Sequence, residues 1–423
     1  MLTKIFDKDG QRIYYLYIMT LDNIKEAQRR LAPVIQRNPL DHSSTFSAMT
    51  GAEVYLKCEN LQKTGSFKVR GAYNKIAKLA EQGGVEAIVA CSAGNHAQGC
   101  AFAATSMGMK ATIVMPKTTP IAKIKATEGY GAKVELYGDY YDDSYNRALE
   151  IEKTEGAAFI HPFDDEDVIA GQGTLGIEML EEVPDLDYVI VPAGGGGLLS
   201  GVACAIKSIN PNVRVIGVQA AGAPAIALSF KEKTHICTDV IYTIADGIAV
   251  KNPGYITMDL IDKYVDDVMT VSDGEIASAI IHLIERTKLV VEPAGATSLA
   301  LLLSGKLNVK GKKVACLLSG GNIDVSTIGK IIDRGLVSRG RKIEFSIQLQ
   351  DRPGMLEKVS HILAEQNANV ISITYDRMSA DLEFGETILH IGCEVGGREH
   401  SERVAKALTA GGLRVLGENR SNR

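Results

Sequence analysis

The chain has 423 residues, 45% of them hydrophobic and 23% charged, enough for two or three domains with buried cores. A formal net charge of -5 argues against wholesale binding of a phosphate backbone, so nucleic acid is not an expected partner. No apolar run reaches the roughly 18 residues of a membrane span. The seven cysteines form no CxxC pair and no HExxH pattern occurs, so neither a disulfide scaffold nor a metal site is predicted.

In chain order, residues 1–18 lack a continuous apolar segment, while "MTLDNIKEAQRRLAPVI" from Met19 reads as a start followed by an amphipathic helix. Residues 1–18 are therefore expected to be a leader or an alternative start, and the compartment to be the reducing cytoplasm. "QKTGSFKVRGAY" then opens a helix at Lys68, with Val69, Ala72, Tyr73, Ile76, Leu79 and Ala80 on its core stripe. From Ala87, short apolar runs alternate with helical patterns: "AIVAC", "KATIVMP", "AKVELYG" and "AAFIHP", then "YVIVPAG", "VRVIGVQA" and "KVACLLSGG". This rhythm predicts two open twisted α/β units with parallel sheets, whose ligands sit at the carboxyl ends of strands. After a basic, glycine-spaced stretch, "FSIQLQ", a helix after "DRPG", "NVISITYDR", "ETILHIGCEV", "SERVAKALTAGG" and "LRVLGE" spell βαββαβ, a small ferredoxin-like domain.

Four motifs carry chemistry. In "VIVPAGGGGLLSG", Gly194 to Gly197 follow a buried strand and open a helix, which suits one phosphate monoester held by free N–H groups. The GxGxxG fingerprint of a dinucleotide site and the GK[ST] of a P-loop are both missing. In "CSAGNHAQG", Ser92, Gly94, Asn95 and His96 could receive a small carboxylate, or Ser92 or Asn95 could simply cap a helix. In "LLSGGNID", Ser319 could face a ring nitrogen or be an ordinary turn serine. Lys68 is ambiguous as well. Its helical angle matches that of Lys75, which reads as solvent-facing, yet a place in the first turn lowers the pKa of an ammonium as a carbonyl-reactive amine requires. A phosphate cup, a carboxylate loop, a ring-nitrogen partner and a reactive lysine together describe pyridoxal 5'-phosphate.

The blocks "GSFKVRGA", "SAGNHAQG", "GGGGLLSG" and "LSGGNID" resemble the signature blocks of the threonine dehydratase (threonine ammonia-lyase) family, over Met19 to Leu336. These are fold type II, tryptophan-synthase-β-like pyridoxal-phosphate enzymes. The C-terminal segment resembles an ACT domain, an amino-acid-binding regulatory module. The resemblance implies a large domain at 19–60 and 160–336, a small domain at 61–159, a linker at 337–342 and an ACT-like domain at 343–418. It implies that Lys68 is the catalytic lysine and bonds the cofactor aldehyde, with Phe67 packed beside the ring. Asn95 would bond the 3-hydroxyl; Gly194, Gly195, Gly196, Gly197 and Leu198 would hold the phosphate, and Ser319 the ring nitrogen. Ser92, Ala93, Gly94 and His96 would line the substrate carboxylate site.

The implied reaction turns L-threonine into 2-oxobutanoate and ammonia, with L-serine to pyruvate as a secondary activity, as the first step toward isoleucine. Serine racemases of this fold carry a serine where Ala93 stands, and relatives with a divalent metal carry an acidic residue where Gln219 stands, so a dehydratase without a divalent metal is implied, a backbone-bound monovalent ion being left open. Asp351, Arg352, Pro353 and Gly354 mark the regulatory turn, with isoleucine as the implied effector and a homodimer or homotetramer as the assembly. The alternatives are a serine-preferring dehydratase or another β-eliminating lyase and, from a different class, an amino-acid-sensing binding protein.

Overall fold

The computed structural model describes residues 5–6, 12–13, 19–379 and 382–419. Most of the expected leader at 1–18 therefore lies outside the described residues. β1 (Ile5–Phe6) and β2 (Arg12–Ile13) pair antiparallel. The chain forms two compact units, 1–323 and 324–423.

Besides the β1–β2 pair, two larger sheets lie in unit one among the described residues. β3 (Leu40–His42) and β4 (Glu53–Cys58) begin the larger one. The chain then leaves to build the smaller sheet from β5 (Ala87–Cys91), β6 (Lys110–Met115), β7 (Lys133–Leu136) and β8 (Ala158–Phe159). It returns with β9 (Tyr188–Pro192), β10 (Arg214–Ala220), β11 (Asp267–Val271) and β12 (Lys313–Leu318). The large sheet runs β11-β10-β9-β12-β4-β3 and the small one β7-β6-β5-β8. Every neighbour pair is parallel except β3 with β4. Parallel strands covered on both faces read as continuous apolar runs, which is why "AIVAC", "YVIVP" and "KVACLL" are legible. β3, β4 and β11 escape the sequence reading. In β4 the apolar run is broken by Lys57, which is nonetheless fully buried and paired to Glu178 at 2.9 Å.

The helix Lys68–Gln82 is buried on more than its apolar stripe, since Arg70, Gly71 and Asn74 are buried along with Val69, Ala72 and Ile76. Against it lies the helix Glu166–Glu182, close enough that a Cβ at Gly171 would sit 2.6 Å from the Arg70 carbonyl oxygen. Only glycine permits this approach. Behind the contact, the Arg70 guanidinium meets Glu59 at 2.8 and 2.9 Å and Glu178 at 2.6 and 3.1 Å. Lys75 belongs to the same crowded surface. It is bonded to Asp165 at 2.8 Å and Asp167 at 3.2 Å and is only 21% exposed, so the solvent-facing reading of Lys75 is corrected.

Unit two holds the helix Val325–Ser338, followed by β13 (Lys342–Gln350), a helix Met355–Glu365, β14 (Asn369–Asp376), β15 (Glu386–Glu394), a helix Arg398–Ala410 and β16 (Arg414–Asn419). The first helix runs through two residues of the expected 337–342 linker. The sheet order is β14-β15-β13-β16, antiparallel throughout, which with the two helices completes βαββαβ. Phe345, Ile347, Leu389, Ile391, Val359, Leu363 and Val404 form its core. No helix among the described residues is long and apolar enough to cross a membrane.

Candidate active site

The loops that follow β5, β9 and β12 meet around Lys68. Lys68 is the first residue of its helix, and the strand-like segment before it is stitched to the loop after β12. The Phe67 N–H donates to the Ser319 carbonyl at 3.0 Å, the Gly321 N–H donates to the Gly65 carbonyl at 2.9 Å, and Ser66 bridges to Gly320. Ser319 is 2% exposed and is thereby held within a few residues' reach of the lysine. The part-buried Lys68 ammonium donates to the carbonyl of Pro162 at 2.7 Å and lies 5.4 Å from the centroid of the Phe67 ring. Burial pushes its pKa down to about 8, against the opposing pull of Cys100 and Glu292. Burial is thus the main cause of the shift, where the sequence alone suggested the helix terminus. The competing view of Lys68 as a solvated surface lysine is set aside.

The glycine loop sits one residue further along the same wall. The Phe163 ring packs on Gly195, and a Cβ at Gly197 would lie 2.8 Å from the Phe163 carbonyl oxygen. Gly196 takes φ +99, a left-handed conformation that glycine adopts without strain. The glycines are therefore demanded by close packing of the chain on itself as well as by any ligand. The N–H groups of Gly194, Gly195, Gly196, Gly197 and Leu198 find no acceptor among the described residues. Unsatisfied donors gathered at the start of the helix Gly197–Ile209 fit a phosphate.

The loop after β5 starts the helix Asn95–Ser106. Ser92 Oγ accepts from the Gly94 N–H at 3.2 Å, and Ala93 packs on the small-lobe core. Neither Ser92 nor Asn95 caps that helix with its side chain; Gly94 stands at the cap. The His96 ring points inward, with Nε2 at 2.9 Å from the Ile160 carbonyl and 3.4 Å from Cys100 Sγ. Burial and the nearby Lys68 charge push its pKa down to about 3, so the ring is neutral near pH 7.

Three residues to which the sequence reading gave no role complete the site. Pro162 supplies the carbonyl that holds Lys68. Glu292, 5% exposed, accepts from Asn95 Nδ2 at 2.7 Å, and burial, reinforced by Asp246, pushes its pKa up to about 8. Asn322 donates to Asn95 Oδ1 at 2.7 Å. "EPAGA" at 292–296 offers the only sequence signal for Glu292, a charged residue directly before the proline that starts an apolar helix.

A family model described as pyridoxal-phosphate dependent enzyme matches residues 31–320. The chain belongs to that family. Similar proteins include the L-threonine ammonia-lyase of Thermotoga maritima, 50% identical across 94% of this chain and 99% of the relative. The catabolic L-threonine dehydratase of Escherichia coli K12 is 46% identical across 75% of this chain and 98% of its own. Among solved structures, maize serine racemase superposes with a TM-score of 0.71 at 36% identity, over 76% of this chain and 98% of that one. One fold therefore serves elimination and racemisation alike, and the residues in the site must decide between them.

Proposed function

We propose that this chain is an L-threonine ammonia-lyase that converts L-threonine to 2-oxobutanoate and ammonia and acts on L-serine to give pyruvate as a lesser reaction. The observation that carries the reading is Lys68: an amine of lowered pKa, held by the Pro162 carbonyl between the glycine loop and Ser319. High identity to two threonine-cleaving relatives supports the choice of substrate. When bound, pyridoxal phosphate supplies an aldehyde for the substrate amine and a ring that spreads the charge left at the substrate Cα.

Lys68 would hold the cofactor through its aldehyde, and its amine, when free, would be placed to take the substrate Cα proton. Phe67 flanks it. Gly194, Gly195, Gly196, Gly197 and Leu198 are assigned the phosphate, Asn95 the ring oxygen and Ser319 the ring nitrogen. Ser92, Ala93, Gly94 and His96, at the start of the helix Asn95–Ser106, are assigned the substrate carboxylate, although the Gly94 N–H is itself bonded to Ser92 Oγ. The neutral His96 ring takes no proton from the substrate in this scheme. Ala93, with no hydroxyl to serve as a second acid or base, supports elimination over racemisation.

The C-terminal βαββαβ unit is assigned as an ACT-like regulatory domain, with isoleucine as effector and the enzyme placed early in isoleucine formation. Its "DRPG" turn comprises Asp351, Arg352, Pro353 and Gly354. Asp351 is bonded to Arg377 at 2.8 and 3.2 Å, and Gly354 takes φ +90 at the cap of the next helix. The full chain is assigned as a homodimer or homotetramer. The test is keto-acid formation from L-threonine and L-serine with isoleucine titrated in. Lys68→Ala should lower kcat by about 10²–10⁴-fold or more, and Asp351→Ala should weaken the isoleucine response. Threonine turnover that survives Lys68→Ala would overturn the assignment of that residue. A response to isoleucine that is absent in the parent chain would overturn the effector.

A further inference from the structure

Asn95 is tied on both sides of its amide. Nδ2 donates to Glu292 Oε1 at 2.7 Å, and Oδ1 accepts from Asn322 Nδ2 at 2.7 Å. An isolated amide could be turned over, exchanging donor for acceptor. Here the direction is fixed from outside. Asn322 Nδ2 also donates to the Thr64 carbonyl at 2.8 Å, and a carbonyl oxygen can only accept. Hydrogen bonds therefore run from Asn322 to Asn95 to Glu292, which leaves Asn95 a second N–H to donate beside one free lone pair on Oδ1.

Glu292 is an unusual end for such a chain. It stands at the cap position of the helix Pro293–Leu303, where a side-chain oxygen ordinarily accepts from the first-turn N–H groups. Its carboxyl makes no such bond and reaches for Asn95 instead. Its backbone N–H donates to the Gly320 carbonyl at 3.0 Å, which fixes it beside the Ser319 loop. Nearly buried and without an ion pair among the described residues, it has every reason to keep a proton. A neutral acid accepts Asn95 Nδ2 through its carbonyl oxygen without placing a second negative charge in the site. That matters if the neighbouring ligand atom is itself anionic.

We propose that Glu292 and Asn322 are positioning residues for the reaction, which lock the Asn95 amide so that it presents an N–H, and hence select the ionised form of the cofactor's ring oxygen as its acceptor. This deepens the pyridoxal-phosphate reading of the same site and rests on it. Two readouts test it apart from turnover: the dissociation constant for pyridoxal phosphate, and the position of the visible absorption band of the bound cofactor. Asn322→Ala and Glu292→Leu should each weaken cofactor binding about tenfold, the worth of one well-made hydrogen bond, and shift the band. Glu292→Gln, whose amide oxygen can accept the same bond, should stay within about twofold of the parent and leave the band in place. Asn322→Asp, near-isosteric but without the donor, serves if Asn322→Ala lowers the melting temperature of the cofactor-free chain. Variants that bind the cofactor as the parent does, with an unshifted band, would overturn the proposal alone. A parent chain that takes up no pyridoxal phosphate would overturn the underlying reading and the proposal with it.

Discussion

Two buried carboxyls on opposite sides of the Lys68 helix behave in opposite ways. Glu178 is 4% exposed and lies behind the helix, bonded to Arg70 and Lys57, which hold its carboxyl below the usual range although burial pulls the other way. Glu292 is 5% exposed and lies in front of it, with the amide of Asn95 as partner, and is pushed up to about 8. Burial opposes charge at both places, and only cations bonded directly to the carboxyl, as at Glu178, reverse it; Lys123 and Lys68 act on Glu292 without doing so. At the rear, Glu178 can therefore stay charged against Arg70. The front keeps an acid neutral and an amine, Lys68, easily deprotonated, as chemistry near neutral pH requires. Stability and reactivity are kept apart by one helix width.

The largest test removes the cation from the rear. Arg70→Met would strand Glu59 and Glu178 in the interior and should cost about 3–5 kcal/mol of unfolding free energy, read by denaturant titration of the cofactor-free chain. Adding Glu59→Gln and Glu178→Gln to the same chain should recover part of that loss. A single substitution costing less than about 1 kcal/mol would show that the cluster does not hold the helix.

A second test uses pH at the front. Between pH 4.5 and about 8 the folded chain keeps the Glu292 proton while the unfolded chain has released it. The contribution of Glu292 is therefore full below pH 4.5 and is lost as pH rises toward 8, with a slope of up to about 1.4 kcal/mol per pH unit. Lys68 acts in the opposite sense. From about 8 to 10.5 the unfolded chain holds the extra proton, so the cost of burying Lys68 is full below pH 8 and is relieved as pH rises to 10.5. The charged and titratable neighbours that act on the pair are Asp246, Lys123 and Cys100. Glu292→Gln should flatten the first window and Lys68→Met the second, each measured as the difference from the parent. If Glu292→Gln leaves the acid-to-neutral profile unchanged, the contrast between the two carboxyls fails.

The smallest effect is expected at the rim. Lys75→Met breaks the pairs with Asp165 and Asp167, which keep some access to water, and should cost about 0.5–1 kcal/mol, less at high salt. A loss as large as that of Arg70→Met would mean that exposure does not grade these pairs.

The sequence by itself determined the α/β alternation, the βαββαβ tail and the places where loops could hold a ligand. Those features depend on local pattern: apolar runs for strands buried on both faces, and glycines where the backbone must turn at a strand end. Lys68, Asn95, the glycine loop and Ser319 could be singled out as candidates because each stands in a short motif beside such a turn. The tertiary structure alone decided the electrostatics. Lys68 and Lys75 share a helical angle, yet neither faces open solvent, because the helix Glu166–Glu182 and the segment through Pro162 cover the face that periodicity leaves polar. His96 looked available and is turned inward. Glu292 and Asn322 stand 197 and 227 residues from Asn95 in the chain. No local pattern can report a hydrogen bond across that separation, and the protonation of a buried acid depends on what the fold places next to it.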